Sequence, residues 1–310
     1  MNKTIDTLTN TIQNVIVGKD DVIQKVIISL LCDGHILIQD VPGVGKTKLI
    51  SALSKAVNGK FNRIQLTPDV MPSDIVGFSL VNQKTLEFEY KEGVAMCNFL
   101  LADEINRASP KAQSSLLEIM EEHQISLDGV THTLPEPFMV LATQNPIETY
   151  GTYHLPEAQM DRFFMRVSMG YPTANEEMLI LERSNYDTSS GQQDIHSIVT
   201  LDDVNRLKKE VLNVTVSDSV KKYIIDIANA TRHDDNISLG ISPRGSIAMY
   251  KGCRARAYML SQEYATPNDV KFLAESIFAH RIILSAKGRT EFENTSQYVD
   301  SLLKRVSVPM

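Results

Sequence analysis

Short apolar runs and amphipathic stretches alternate through the first half of the chain. His35–Gln39 (HILIQ), Phe61–Leu66, Asn98–Ala102 and Phe138–Thr143 each predict a short strand, apolar on both faces as a buried parallel sheet requires. Lys46–Val57, directly after the first of these, predicts a helix. The alternation predicts an α/β layered unit up to about Tyr171. Two hairpins interrupt it. Residues 125–134 alternate around Asp128-Gly129, a strong two-residue turn signal, and Val70–Tyr90 is too long for a plain connection and ends in the alternating Phe88-Glu89-Tyr90. Asn185–Asp194 (NYDTSSGQQD) is polar and aperiodic and predicts a linker. Beyond it Leu201–Leu212, Ser217–Ala230, Pro243–Ser261 and Pro267–Ile283 predict helices. Ser242-Pro243 and Thr266-Pro267 each place a capping hydroxyl before a first-turn proline. A smaller all-helical unit is expected there.

The chemistry begins at the end of the first strand. Asp40-Val41-Pro42-Gly43-Val44-Gly45-Lys46-Thr47 follows that strand and opens a helix, the setting of a phosphate-binding loop. Gly43 and Gly45 allow the backbone to turn several N–H groups toward one anion, and the helix start adds donors and a positive dipole end. Pro42 through Lys48 are therefore candidate nucleotide contacts. Lys46 is suited to the β- and γ-phosphates and Thr47 to Mg²⁺. Asp40 stands where the generic loop has glycine. The apolar strand Asn98–Ala102 runs into Asp103-Glu104. At the carboxyl end of a parallel strand Asp103 is placed to hold Mg²⁺ through water, and Glu104 to act as general base toward the water attacking the γ-phosphorus.

With these residues in view, the chain resembles the MoxR-type AAA+ ATPases almost from end to end. Val17-Gly18-Lys19, before the first helix, is similar to the family's adenine-side box, and Asp103–Ala108 to its Walker B segment. Ala142–Pro146 resembles the sensor 1 strand end, Leu155–Phe163 the arginine-finger segment, and Ser242–Gly245 the sensor 2 segment. The segment Lys91–Met96 lacks the family's usual proline, and Thr149, Tyr150 and His154 replace more usual residues. The resemblance implies a parallel five-stranded P-loop core with helices on both faces and a small helical lid. It divides the chain into a nucleotide-binding domain over 1–184 carrying both hairpins as inserts, a linker over 185–194 and a lid over 195–310. It implies ATP and Mg²⁺ as ligands, and Val17 and Gly18 on the adenine side. It also implies Asn145 as the amide that orients the attacking water, Arg162 as the finger offered by a neighbouring subunit, and Arg244 as a lid residue reaching back to the nucleotide. Arg166 and Arg107 are alternative finger candidates.

Composition narrows the function classes. The 310 residues carry a net charge of −7, and neither hairpin has a basic run, which weighs against a nucleic-acid motor. Three widely spaced cysteines make no disulfide framework, the polar start shows no signal peptide, and no apolar run approaches a membrane span. A cytoplasmic protein is expected. His123 and His132 are read as solvated or structural, the run Met160, Phe163, Phe164 and Met165 and Cys97 as buried packing, and Lys208-Lys209 and Lys221-Lys222 as solvated helix faces. The leading reading is ATP hydrolysis in a homo-oligomeric ring, a hexamer, that remodels or matures a protein or metal-containing complex. By resemblance a partner carries a von Willebrand factor A domain. The other readings are a nucleotide-gated scaffold with little turnover and a nucleic-acid remodelling motor.

Overall fold

The computed structural model describes residues 2–146, 151–184 and 199–309, so the linker expected at 185–194 lies outside the described residues, as do Thr149 and Tyr150. The chain opens with α1 (Lys3–Gln13) and α2 (Asp20–Leu31), so Val17-Gly18-Lys19 joins two helices instead of preceding the first. There follow β1 (Ile36–Gln39), α3 (Lys46–Ala56), β2 (Phe61–Gln65), the short α4 (Pro72–Val76), and a hairpin of β3 (Gly77–Val81) and β4 (Phe88–Glu92). Then come β5 (Phe99–Asp103), α5 (Pro110–Glu122), the second hairpin of β6 (Gln124–Leu127) and β7 (Val130–Thr133), and β8 (Met139–Gln144). After α6 (Glu157–Met160), β9 (Met165–Val167) and α7 (Ala174–Ser184) end the α/β part. The C-terminal part holds α8 (Leu201–Val211), α9 (Asp218–Arg232), β10 (Ile237–Leu239), α10 (Pro243–Met259), α11 (Pro267–Phe278), β11 (Ile283–Leu284), α12 (Ala286–Glu291) and α13 (Thr295–Arg305).

The sheet is parallel, in the order β2-β5-β8-β1-β9. Period-two side-chain alternation divides its strands between two apolar layers. Ile36 and Ile38 enter one layer with Phe99, Leu101, Met139 and Leu141, while Leu37 enters the other with Leu100, Ala102, Val140 and Ala142. The central strands are buried on both faces, as the sequence predicts. Edge strand β2 is not: Asn62, Arg63 and Gln65 put polar groups on it, because an edge strand has water on one side. The other edge, β9, has three residues, too few to show a period, and in sequence Met165 reads as packing and Arg166 as a finger candidate.

The lid is helical apart from the antiparallel pair β10–β11, so the expected all-helical unit is amended. The helix expected through Ile283 stops at Phe278. Ala279–Arg281 tighten into a 3-10 turn whose His280 and Arg281 are buried, which the sequence period did not show. The first sheet layer continues without a break into α1, α2 and the lid, joining Ile5, Ile12 and Ile27 to Leu273, Ile277 and Tyr298. Lys208, expected in solvent, pairs with Asp33 and is nearly buried along its side chain. Asp128 and Gly129 both take positive φ (49° and 79°), the geometry of the two-residue turn that the sequence predicts. Across the hairpins the rings of Tyr90 and His132 stack at 3.9 Å. Cys32, Cys97 and Cys253 are buried free thiols.

His35 ties the layers together at the start of β1. Its Nδ1 accepts from the Val140 N–H at 3.0 Å, so Nε2 carries the proton and donates to the Met120 carbonyl at 2.8 Å. A second proton would remove the acceptor, and burial pushes the pKa down from 6.5 to about 4. Because the folded value lies below the unfolded one, the unfolded chain binds more protons between them. Stability is full above pH 6.5 and falls as pH drops toward 4, by about 3 kcal/mol at most. Urea midpoints measured across that window are expected to fall more steeply for the wild type than for His35→Gln, which keeps a donor and an acceptor but has no proton to gain.

Candidate active site

The carboxyl ends of β1, β5 and β8 lie side by side, since Gln39 registers with Gln144 and Ala102 with Ala142. The segments leaving them meet over a cleft of about 470 Å³. Pro42, Gly43, Val44, Gly45, Lys46, Thr47 and Lys48 form one wall. Gly43 and Gly45 have φ of 88° and 95°, left-handed conformations that only glycine takes without strain. Gly45 caps α3, so the unpaired N–H groups and positive dipole end of its first turn belong to this wall. The Lys46 ammonium donates to the Asp40 carbonyl at 3.1 Å.

Asp40 explains its own place in the loop. Its buried carboxylate accepts from Ser168 Oγ at 3.0 Å and from the backbone N–H groups of Met169 and Gly170. Glycine could accept none of these. The carboxylate fixes the exit of β9 against the phosphate-type loop and carries Met169 and Pro172 into the cleft lining.

The opposite wall holds Asp103, Glu104, Thr143 and Asn145. The Thr143 hydroxyl joins two of them, donating to Asp103 Oδ1 at 3.2 Å and accepting from the Glu104 N–H at 2.9 Å. Glu104 is left-handed, with φ of 57°, a conformation that costs a side-chain-bearing residue about 1–2 kcal/mol. Its carbonyl accepts from the Arg107 N–H at 2.8 Å, and the Arg107 guanidinium lies 3.0 Å from Glu104 Oε2. Strain held from both sides of the peptide is a recurrent property of functional positions. Asn145 is buried in the same wall.

Arg63 is the residue that motif reading missed. It donates from Nε to Asp103 Oδ2 at 2.7 Å, and with Gln65 it lines the cleft from β2. Its signal is a lone cation in an otherwise strand-like run next to the acidic strand end. Val17 and Lys19 line the far end of the cleft, and Lys19 donates to the Tyr171 carbonyl at 3.0 Å. Gly18 supplies the turn between them, at φ of 67°, without lining the cleft itself.

Two expected site residues lie elsewhere. Arg162 and Arg244 line a second, smaller cavity of about 170 Å³ with Glu121, Asp161 and Arg281. Arg244, expected to reach back to the nucleotide, pairs with Glu121 beside Arg162 and does not line the cleft of its own chain. The reason is the placement of the lid, which packs on α2 and β9 and so carries the start of α10 to that side of the molecule. Arg166 is half-buried on β9 and donates to Gln39 Oε1 at 3.3 Å, and Arg107 is engaged with its own Glu104.

Residues 35–165 match the family described as "ATPase family associated with various cellular activities (AAA)", and residues 229–302 match the AAA lid domain. The chain is 36% identical to Chaperone MoxR1 of Mycobacterium tuberculosis, covering 96% of this chain and 80% of that protein. It is 30% identical to Protein MoxR of Paracoccus denitrificans, over 88% and 87% of the two chains. With YeaC of Bacillus subtilis, an uncharacterized protein, it shares 45% identity over 96% and 93%. A crystal structure of a candidate ATPase from Cytophaga hutchinsonii superposes with a TM-score of 0.91 at 37% identity, covering 99% of this chain and 95% of that one.

The geometry at Asp40 gives a test. Asp40→Asn halves the acceptors facing three donors and removes the charge that strengthens them. It is expected to lower unfolding free energy by about 1.5–3 kcal/mol. Urea unfolding measures this, and an unchanged midpoint would make Asp40 a passive substitute for glycine.

Proposed function

The chain belongs to the MoxR family of AAA+ ATPases, and on that premise we propose that it hydrolyses ATP to ADP and phosphate at sites completed by a neighbouring subunit. One observation carries the reading: Lys46, Thr47, Asp103, Glu104 and Asn145 share one cleft, while Arg162 and Arg244 stand together outside it. The N–H groups of the loop and Lys46 bind the phosphates. Asn145 orients the attacking water and Glu104 takes its proton as the water oxygen bonds to the γ-phosphorus. The bridging oxygen departs with the electron pair of the broken bond. Arg162 and Arg244 of the next subunit balance charge on the transferring group.

The donor set fits Mg²⁺. Thr47 and Asp103 offer hard oxygens across the cleft, the donor type Mg²⁺ takes, and would hold the ion there. Among the described residues no group of three or more His, Cys, Asp or Glu forms a protein cage, which such a site does not need. When bound, the ion supplies charge neutralisation between the phosphates.

A homo-hexameric ring, a client protein or metal-containing complex, and a partner with a von Willebrand factor A domain are proposed from family membership, as is a cytoplasmic setting. The boundaries 1–184, 185–194 and 195–310 are proposed with them. Among the described residues no helix is long and apolar enough to cross a membrane. A scaffold with little turnover has one observation in its favour, the Arg107 contact on Glu104. Phosphate release by the pure protein separates the two readings.

Glu104→Gln is expected to keep ATP affinity and lower turnover about 10²-fold or more, the scale of general-base loss. Arg162→Ala is expected to be nearly inactive as well. Equal mixtures of the two should regain about a quarter of wild-type activity, because random placement around a closed ring gives that share of junctions every part. Phosphate release after subunit exchange measures this. A flat line at the parental level would place Arg162 outside the chemistry.

A further inference from the structure

Two arginines from distant segments share one carboxylate. Glu121 Oε2 lies 3.2 Å from Arg162 Nε, and Glu121 Oε1 accepts from Arg244 Nη2. Each oxygen serves one guanidinium, which leaves other N–H groups of both arginines available to a third partner. All three side chains are partly open to solvent, with Arg162 at 32%, Arg244 at 45% and Glu121 at 37% exposure.

Helix electrostatics makes the arrangement specific. Glu121 lies in the last turn of α5, where the dipole end is negative and no basic residue compensates it. Arg244 lies in the first turn of α10, where the dipole end is positive. Each charge is unfavourable on its own helix, and each is neutralised by the other. The backbones behind the arginines are fixed as well. Asp161, next to Arg162, accepts from Ser242 Oγ at 2.8 Å and from Arg281 Nε at 2.7 Å, and Ser242 is the cap of the helix that carries Arg244. What freedom remains to the pair is in the two long side chains, and Glu121 removes it.

We propose that Glu121 is a positioning residue that holds Arg162 and Arg244 as one two-pronged unit for the γ-phosphate bound in the next subunit. Ordering the arginines before assembly takes their loss of rotamer freedom out of the catalytic step. The same carboxylate connects neighbouring sites. Helix α5 starts three residues beyond the Glu104–Arg107 turn and runs about 17 Å to Glu121. One rigid element thus links the base of one site to the arms of the next. The inference rests on the proposed action of Arg162 across the interface.

The test uses Glu121→Gln in the full chain, which keeps shape and removes the charge. Turnover is expected to fall about 10-fold or more, with KM for ATP and the thermal midpoint near wild type, since Glu121 does not line the nucleotide cleft. Glu121→Asp, which keeps the charge on a shorter stem, is expected to fall between the two. Mixed with Glu104→Gln, the Glu121→Gln protein should regain activity, because the Glu104→Gln subunit supplies clamped arginines to an intact base. Mixed with Arg162→Ala it should regain none, because neither subunit supplies them. Wild-type turnover in Glu121→Gln, or recovery in that last mixture, would overturn the positioning role. Wild-type turnover in Arg162→Ala, or its failure to complement Glu104→Gln, would overturn the interfacial reading beneath it, so the two failures are distinct.

Discussion

The arrangement of the molecule depends on one buried cation, Arg281. Its side chain is 2% exposed, and a guanidinium so placed is costly unless every donor is met. Here Nε meets the Asp161 carboxylate, and the terminal nitrogens meet the carbonyls of Asp161, Phe163, Phe164 and Ile277. Burial lowers the pKa of Arg281 from its ordinary value while Asp161 works against that shift. His280, beside it, reaches the Phe163 carbonyl at 3.0 Å. One turn of the lid thus grips Asp161, Phe163 and Phe164 on the way into edge strand β9. The fold gains a lid that is part of the sheet's own core instead of a cover over the cleft.

That grip explains why the two halves of the proposed chemistry face different ways. The loop residues, the acidic pair and Asn145 are gathered by strand register, a property of the sheet alone. The arginines are gathered by the lid, through Ser242 and Arg281 acting on Asp161. Subunits in a ring contact head to tail, so the proposed ring would let two sites built by independent means on one chain meet across its interfaces.

Legibility in the sequence follows the range of the interactions. The loop at 40–47, the Asp103-Glu104 strand end and the Asp128-Gly129 turn are contiguous, so their residue types and spacing sufficed. The three central strands were legible because burial on both faces leaves a plain apolar run. Edge strand β2 was legible as a strand but not in its polar faces, since its Asn62, Arg63 and Gln65 answer to water and to Asp103 forty residues away. Strand β9 was too short for any period to show. The side of the molecule on which Arg244 falls depends on where the lid packs, which no local pattern encodes. Lys208 reads as an exposed helix charge until Asp33, 175 residues distant, is brought against it. Glu121 carries no local signal in the sequence, because its partners come from two other segments.

The left-handed backbone at Glu104 bears on how this protein could be altered. A glycine there would relieve about 1–2 kcal/mol of main-chain strain, offset in part by the roughly 0.5–1 kcal/mol that the freer unfolded chain costs. A search for sturdier variants by heat or denaturant would favour that replacement and would at the same time delete the carboxylate. For a residue proposed as the base, selection for robustness and selection for chemistry would pull apart at this position.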